Sequence, residues 1–171
     1  MEVSKSITVA ELLQVKRLHL ELVCGKRYIH REITLGHVNR PGLALCGHLE
    51  SFRPNSVQVF GRSEQAFCQK ENKTRLRANV TKMLSEGHVP CVIVTAGLDP
   101  MPAIRKACLS ADVPVLKTEM ESSSFIAEFS RFLDEKLSPV THMHGVLVDV
   151  SGIGVLIRGD AGIGKSECAL E

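Results

Sequence analysis

No charge of one sign dominates this sequence: 21 basic and 19 acidic residues leave a formal net charge of +2. Bulk attraction to nucleic acid or to an anionic membrane surface is thereby excluded. No apolar run approaches the roughly 18 to 20 residues needed to cross a bilayer, which excludes a membrane-spanning role. The start, Met1-Glu2-Val3-Ser4-Lys5, has no apolar signal core, and the six cysteines, Cys24, Cys46, Cys68, Cys91, Cys108 and Cys168, include no C-x-x-C pair. We read them as free, reduced thiols in a cytoplasmic protein. There is no internal repeat and no low-complexity tract. What is present is a hydrophobic content of 44% over 171 residues. That is ample for a packed core, on a length that holds one domain, or one domain and part of a second.

The chemistry is concentrated near the end. Gly159-Asp160-Ala161-Gly162-Ile163-Gly164-Lys165-Ser166 matches the phosphate-binding pattern G-x-x-x-x-G-K-[ST] in full. Gly154-Val155-Leu156-Ile157-Arg158 before it reads as a short buried strand, and Glu167-Cys168-Ala169-Leu170-Glu171 after it as the first turn of a helix. In that order the glycines let backbone N–H groups turn inward around an anion, and the helix N-terminus adds the positive end of its dipole. Lys165 then reaches the β- and γ-phosphates, and the Ser166 hydroxyl ligates Mg²⁺.

Upstream, Thr8 and Glu11 are placed as a capping box for a helix to about Lys16. Leu18 to Val23 alternates like a half-buried strand ended by Gly25, and Tyr28 to Thr34 reads as another short strand. Asn39-Arg40-Pro41-Gly42 marks a turn before the apolar Leu43 to Gly47. Val57 to Phe60 predicts a strand, Ser63-Glu64 the opening of a helix, and Lys73 to Leu84 a second helix. Cys91-Val92-Ile93-Val94-Thr95 is β-branched without alternation, as in a parallel sheet covered on both faces. Pro102 suits the first position of a helix to about Ala111, and Val113 to Leu116 gives a further strand. Ser122, Ser123 or Ser124 can cap a helix to Leu137, with Phe125, Ile126, Phe129, Phe132 and Leu133 on one face. The alternation from Val57 to Leu137 predicts an α/β fold with a mainly parallel sheet. After Pro139 the pattern changes to a β-hairpin, Gly145 to Val150 and Gly154 to Ile157, which delivers the glycine loop. Two domains follow, 1–137 and the start of a second over 138–171.

His142 and His144 share a face of an extended segment, as half of a metal site would, but no further ligand is spaced nearby, so the reading without a metal is preferred. His144 beside Gly145 is better placed near phosphate oxygens, to offset charge or hand over a proton. Asp149 has the look of a magnesium-binding acid after an apolar run, yet it precedes the loop and adjoins a turn, which favours a turn-capping carboxylate. Lys73, Arg75, Arg77 and Lys82 form a basic helix face, read as solvated surface.

The block His144-Gly145-Val146-Leu147-Val148-Asp149-Val150, the Gly152-x-Gly154 turn and the loop through Glu167 together resemble the HPr kinase/phosphorylase family. The stretches Asn39 to Leu45, Val57 to Gly61 and Val92 to Leu98 fit that family's N-terminal domain in the same order. The resemblance implies an N-terminal α/β domain like the substrate-binding fold of Mur ligases, followed by the first hairpin and P-loop of a kinase domain. It implies a homohexameric enzyme that phosphorylates a serine of the phosphocarrier protein HPr with ATP or pyrophosphate, needs Mg²⁺, and removes the phosphate by phosphorolysis. The family positions it carries over are His144 and Lys165 as catalytic groups, Gly159, Asp160, Ala161, Gly162, Ile163, Gly164, Lys165 and Ser166 as the nucleotide loop, and Ser166 as metal ligand. Ala161 stands where the family usually has serine; phosphate binding through backbone N–H groups should survive this. The family's catalytic carboxylates, second metal ligand and HPr-docking loop lie beyond Glu171, so the chain is expected to be part of a longer one and inactive alone. The competing readings are a non-catalytic α/β regulatory or oligomerisation module with a vestigial loop, and a P-loop NTPase of another family.

Overall fold

The structure, a computed structural model, describes residues 6–50, 52–139 and 143–170. His142 lies outside them. The chain divides into two compact units, one reaching to Ser138 and one starting at Pro139.

The first unit opens with β1 (Ile7–Thr8) and α1 (Val9–Leu12). The capping box is formed: Thr8 Oγ1 accepts the Glu11 N–H at 3.1 Å, and Glu11 Oε2 accepts the Thr8 N–H at 2.7 Å. The helix stops at Leu12 instead of about Lys16, and a 3₁₀ turn follows over Lys16–Leu18. Leu18 therefore belongs to a turn and not to a strand, and His19 is left-handed at φ 46°. The cause is tertiary, because the Leu18 side chain is fully buried and its carbonyl accepts the Thr118 hydroxyl at 2.9 Å. The strand itself, β2 (Glu21–Cys24), begins after that turn. Tyr28 likewise sits in a 3₁₀ turn over Lys26–Tyr28, and β3 is only Glu32–Ile33.

Then come β4 (Val38–Asn39), α2 (Gly42–Leu45), β5 (Val57–Phe60), α3 (Arg62–Lys70), α4 (Lys73–Glu86) and β6 (Val92–Val94). They are followed by α5 (Pro102–Ser110), β7 (Val115–Lys117) and α6 (Ser122–Leu137). Pro102 does occupy the first turn of α5. Pro114 has no N–H to give a ladder, so β7 starts one residue after it. No serine caps α6: Glu121 stands at the cap position without a side-chain cap bond, and the Ser122 hydroxyl lies 2.5 Å from that of Thr95 instead.

The sheet order is β2-β7-β6-β5-β4, with β4 to β7 parallel and β2 antiparallel at one edge. Along β6 the side chains alternate between two cores. Val92 and Val94 join Leu76, Val80 and Met83 of α4 and Ile104 and Ala107 of α5. Ile93 joins Phe125, Phe129 and Leu133 of α6, with Val9 and Leu12 of α1. Burial on both faces is why the strand reads as an unbroken apolar run. Cys68, Cys91 and Cys108 are buried free thiols. Burial pushes the first up to about 11 and the second to about 12, so neither supplies a thiolate near neutral pH.

At the carboxyl end of β5, Glu64 accepts the Gly61 N–H at 2.9 Å and takes both a 3.0 Å and a 2.9 Å bond from Arg40. Burial alone would raise this carboxyl, but the Arg40 and Gly61 bonds more than offset it and hold it below the ordinary glutamate value. A depressed carboxyl contributes stability that is fully present above the unfolded pKa and is lost as the pH falls through the folded value. Glu64→Gln is therefore expected to cost about 1–2 kcal/mol at pH 7, moderated because Arg40 stays half in water. Urea unfolding at a series of pH values checks this: the gap between wild type and variant should close below the ordinary glutamate range.

The second unit contains β8 (Val146–Val150), β9 (Ile153–Ile157) and α7 (Lys165–Cys168). No helix among the described residues is long and apolar enough to cross a membrane.

Candidate nucleotide site

The hairpin registers Val146 on Ile157, Val148 on Val155 and Val150 on Ile153, which places six apolar side chains on one face. Its turn residues Ser151 and Gly152 both have positive φ, 55° and 81°, as a type I′ turn requires. The Asp149 carboxylate accepts the Gly152 N–H at 2.8 Å. That is the turn-capping use of Asp149, and its side chain is spent on the hairpin.

The strand β9 delivers Arg158 and Gly159 into the loop. Gly162 and Gly164 take left-handed φ of 82° and 89°, a backbone that residues with a Cβ adopt only under strain. At Gly159 the reason for glycine is a close approach: a Cβ there would lie 3.1 Å from Ile163 Cγ2. Lys165, the first residue of α7, turns back over the loop and donates from Nζ to the carbonyls of Gly159 at 2.9 Å and Asp160 at 2.5 Å. The ammonium is thereby held over the loop that carries it. The Ser166 side chain is exposed beside it, with no hydrogen-bond partner among the described residues, so its oxygen is free for a cation. Mg²⁺ keeps several waters and takes phosphate oxygens, so one protein hydroxyl fits as a partial ligand set. α7 spans a single turn, so its dipole adds little.

His144 precedes β8 and shares an open cleft of about 560 Å³ with Met143, Arg158, Gly159 and Asp160. The structure thus brings His144 to the start of the loop. Arg158 is the residue that sequence reasoning missed, having been taken only as the end of a strand; its place directly before the first glycine was the available signal. Among the described residues no group of three or more His, Cys, Asp and Glu side chains gathers as a metal site.

Residues 7–133 match the family model described as HPr Serine kinase N terminus, and residues 135–171 match that of the HPr Serine kinase C-terminal domain. The chain belongs to the HPr serine kinase family. An HPr kinase/phosphorylase of Geobacter sulfurreducens is 42% identical over 170 residues, covering 98% of this chain and 53% of the relative. One from an Exiguobacterium species is 38% identical over 159 residues, covering 92% of the chain and 50% of the relative. The chain spans about half the length of the curated relatives it matches. A crystal structure of the CBS and DRTGG domains of the regulatory region of Clostridium perfringens pyrophosphatase, complexed with diadenosine tetraphosphate, is 15% identical. It covers 77% of this chain and 50% of that one, with a TM-score of 0.49.

Proposed function

We propose that this chain contributes the nucleotide loop of a cytoplasmic, homohexameric HPr kinase/phosphorylase, which phosphorylates a serine of HPr with ATP or pyrophosphate and reverses the step by phosphorolysis. The observation that carries the reading is the loop itself: Lys165 Nζ held over Gly159 and Asp160, with left-handed glycines at 162 and 164. Phosphoryl transfer holds a dispersed negative charge between two oxygens, and catalysis is mainly positioning and electrostatic stabilisation. In the kinase direction Lys165 leaves its own carbonyls and donates to the β- and γ-phosphates, while the loop N–H groups hold the phosphate chain. The Ser166 hydroxyl would hold Mg²⁺ in part, and the cation would supply charge neutralisation on the same phosphates. His144 and Arg158, at the mouth of the loop, offset the charge that remains, and His144 is placed to pass a proton. In phosphorolysis, inorganic phosphate attacks the phosphoserine phosphorus, the serine oxygen leaves and takes a proton, and pyrophosphate forms in the same loop.

The exposed apolar face of the hairpin, with Ile153 68% exposed and Val150 54%, supports a larger kinase domain in which that face is covered. Incubation with ATP, Mg²⁺ and HPr tests the reading. The 171-residue chain should give no phosphoserine above background, whereas the chain extended to its relatives' length should phosphorylate HPr. Failure of the extended chain overturns the kinase assignment, and phosphorylation by the short chain overturns the requirement for the remainder.

A further inference from the structure

The basic helix face on α4 acquires a second wall in the folded first unit. Lys73, Thr74 and Arg77 of α4 and Pro102, Ala103 and Lys106 of α5 line one open cleft of about 310 Å³. That volume is at the lower end of what small-molecule sites occupy. Lys73, Arg77 and Lys106 are exposed, and among the described residues none of the three side chains has a hydrogen-bond or ion-pair partner. Elsewhere in this unit Arg17 pairs with Glu128 and Glu135, Arg40 with Glu64, Arg62 with Glu121, Lys117 with Glu21 and Asp99, and Arg131 with Glu128, while Arg75, Lys82 and Arg105 on the same two helices carry no ion pair among the described residues.

The placement also runs against helix electrostatics. Lys73 and Arg77 are four apart, where like charges on a helix repel. Neither α4 nor α5 has an acid in its first turn, and α5 has no acidic residue at all. Glu71, the nearest acid in sequence, is engaged with the Asn72 N–H at 3.1 Å. A local rule broken on two packed helices at one cleft is expected where a ligand supplies the missing charge.

We propose that the cleft between α4 and α5 is a binding site for small phosphorylated compounds, held by Lys73, Arg77 and Lys106. Three cations converge from two rigid helices onto a space of molecular size, and the free Thr74 hydroxyl adds a neutral donor. A compact di- or trianion satisfies all three cations at once. An extended acidic peptide would need a longer basic track, and nucleic acid is disfavoured by a net charge of only +2. The site lies in the first unit and does not depend on the glycine loop.

The test is an NMR titration of the isotope-labelled 171-residue chain with inorganic phosphate, pyrophosphate and glycerol 3-phosphate, at constant ionic strength. Saturable shifts are expected at the amides of Thr74, Ala103 and Lys106, with pyrophosphate about tenfold tighter than phosphate because it adds a charge-assisted contact. The exposed double substitution Lys73→Gln with Arg77→Gln should keep a dispersed, folded spectrum and weaken the cleft response by at least about tenfold. Lys165→Ala should leave the cleft response in place and remove any at residues 159–166, which separates this site from the nucleotide loop. Preference for the ester over both inorganic anions would identify an organic phosphate as the ligand class, and the reverse order an inorganic one. The proposal is overturned if shifts are confined to residues 159–166, if the double substitution changes nothing at the cleft, if chloride gives the same shifts, or if an oligoglutamate peptide binds more tightly than any phosphate.

Discussion

Lys165→Ala, made in the chain extended to the length of its relatives, is expected to weaken binding of ATP with Mg²⁺ by about a hundredfold, since two charge-assisted bonds to phosphate are lost at about tenfold each. The ammonium supplies two things. In the structure it donates to the carbonyls of Gly159 and Asp160, at 2.9 and 2.5 Å. With nucleotide present, the same three protons turn to the β- and γ-phosphates. Alanine removes both, and the left-handed glycines alone do not hold a multiply charged phosphate chain. Lys165→Arg is not expected to rescue, because a planar fork cannot reproduce a compact point charge under a tight loop. Isothermal titration with ATP measures the loss, and unfolding of the first unit should be unchanged as a control. Unaltered ATP affinity would remove the loop from the mechanism and leave the regulatory-module reading standing.

The loop was legible because its chemistry is local. Pattern, preceding strand and following turn occupy consecutive residues, and the left-handed backbone at Gly162 and Gly164 explains why glycine is needed there. The Thr8–Glu11 box and the doubly buried β6 were readable for the same reason, as each is a pattern within a few residues. What sequence reasoning misplaced depends on contacts between distant segments. Leu18 was read as strand by its alternation, but the hydroxyl of Thr118 takes its carbonyl. Ser122, Ser123 or Ser124 was expected to cap α6, but Glu121 stands at the cap position and the Ser122 side chain meets that of Thr95. The pairing of Arg40 with Glu64 and the meeting of Lys73 and Arg77 with Lys106 join different elements, so no local pattern announces them. The basic face was therefore visible as a charge run on α4, while its second wall on α5 was not.

Phe129→Ala is expected to destabilise the first unit by about 3–5 kcal/mol, the range for emptying a buried aromatic site. Phe129 is fully buried, and its ring stacks on Phe125 at 5.3 Å and on Phe132 at 6.4 Å between centroids. On its far side lies the sheet face made by Val57, Val59, Ile93 and Leu116. These residues lie on β5, β6 and β7, each of which is flanked by a paired strand on both sides, so the wall behind the ring resists collapse into the space. Cavity cost is added to lost burial for that reason. Against a typical margin of 5–15 kcal/mol, a loss of this size removes a large share of the stability. Urea unfolding should show a lower midpoint with an unchanged slope. Should the alanine variant not fold, Phe129→Leu fills most of the volume and should lose about 1–1.5 kcal/mol. Phe132 is a useful contrast: it is 5% exposed and has the Arg17 guanidinium 5.6 Å from its ring centroid, so truncation there leaves a space that Arg17 can partly cover. A loss below about 1 kcal/mol for Phe129→Ala would contradict a rigidly backed core. The α4–α5 cleft belongs to helices packed on the other face of the sheet. Pyrophosphate should then raise the midpoint of wild type and of Phe129→Leu by the same increment, because distant and independent sites add.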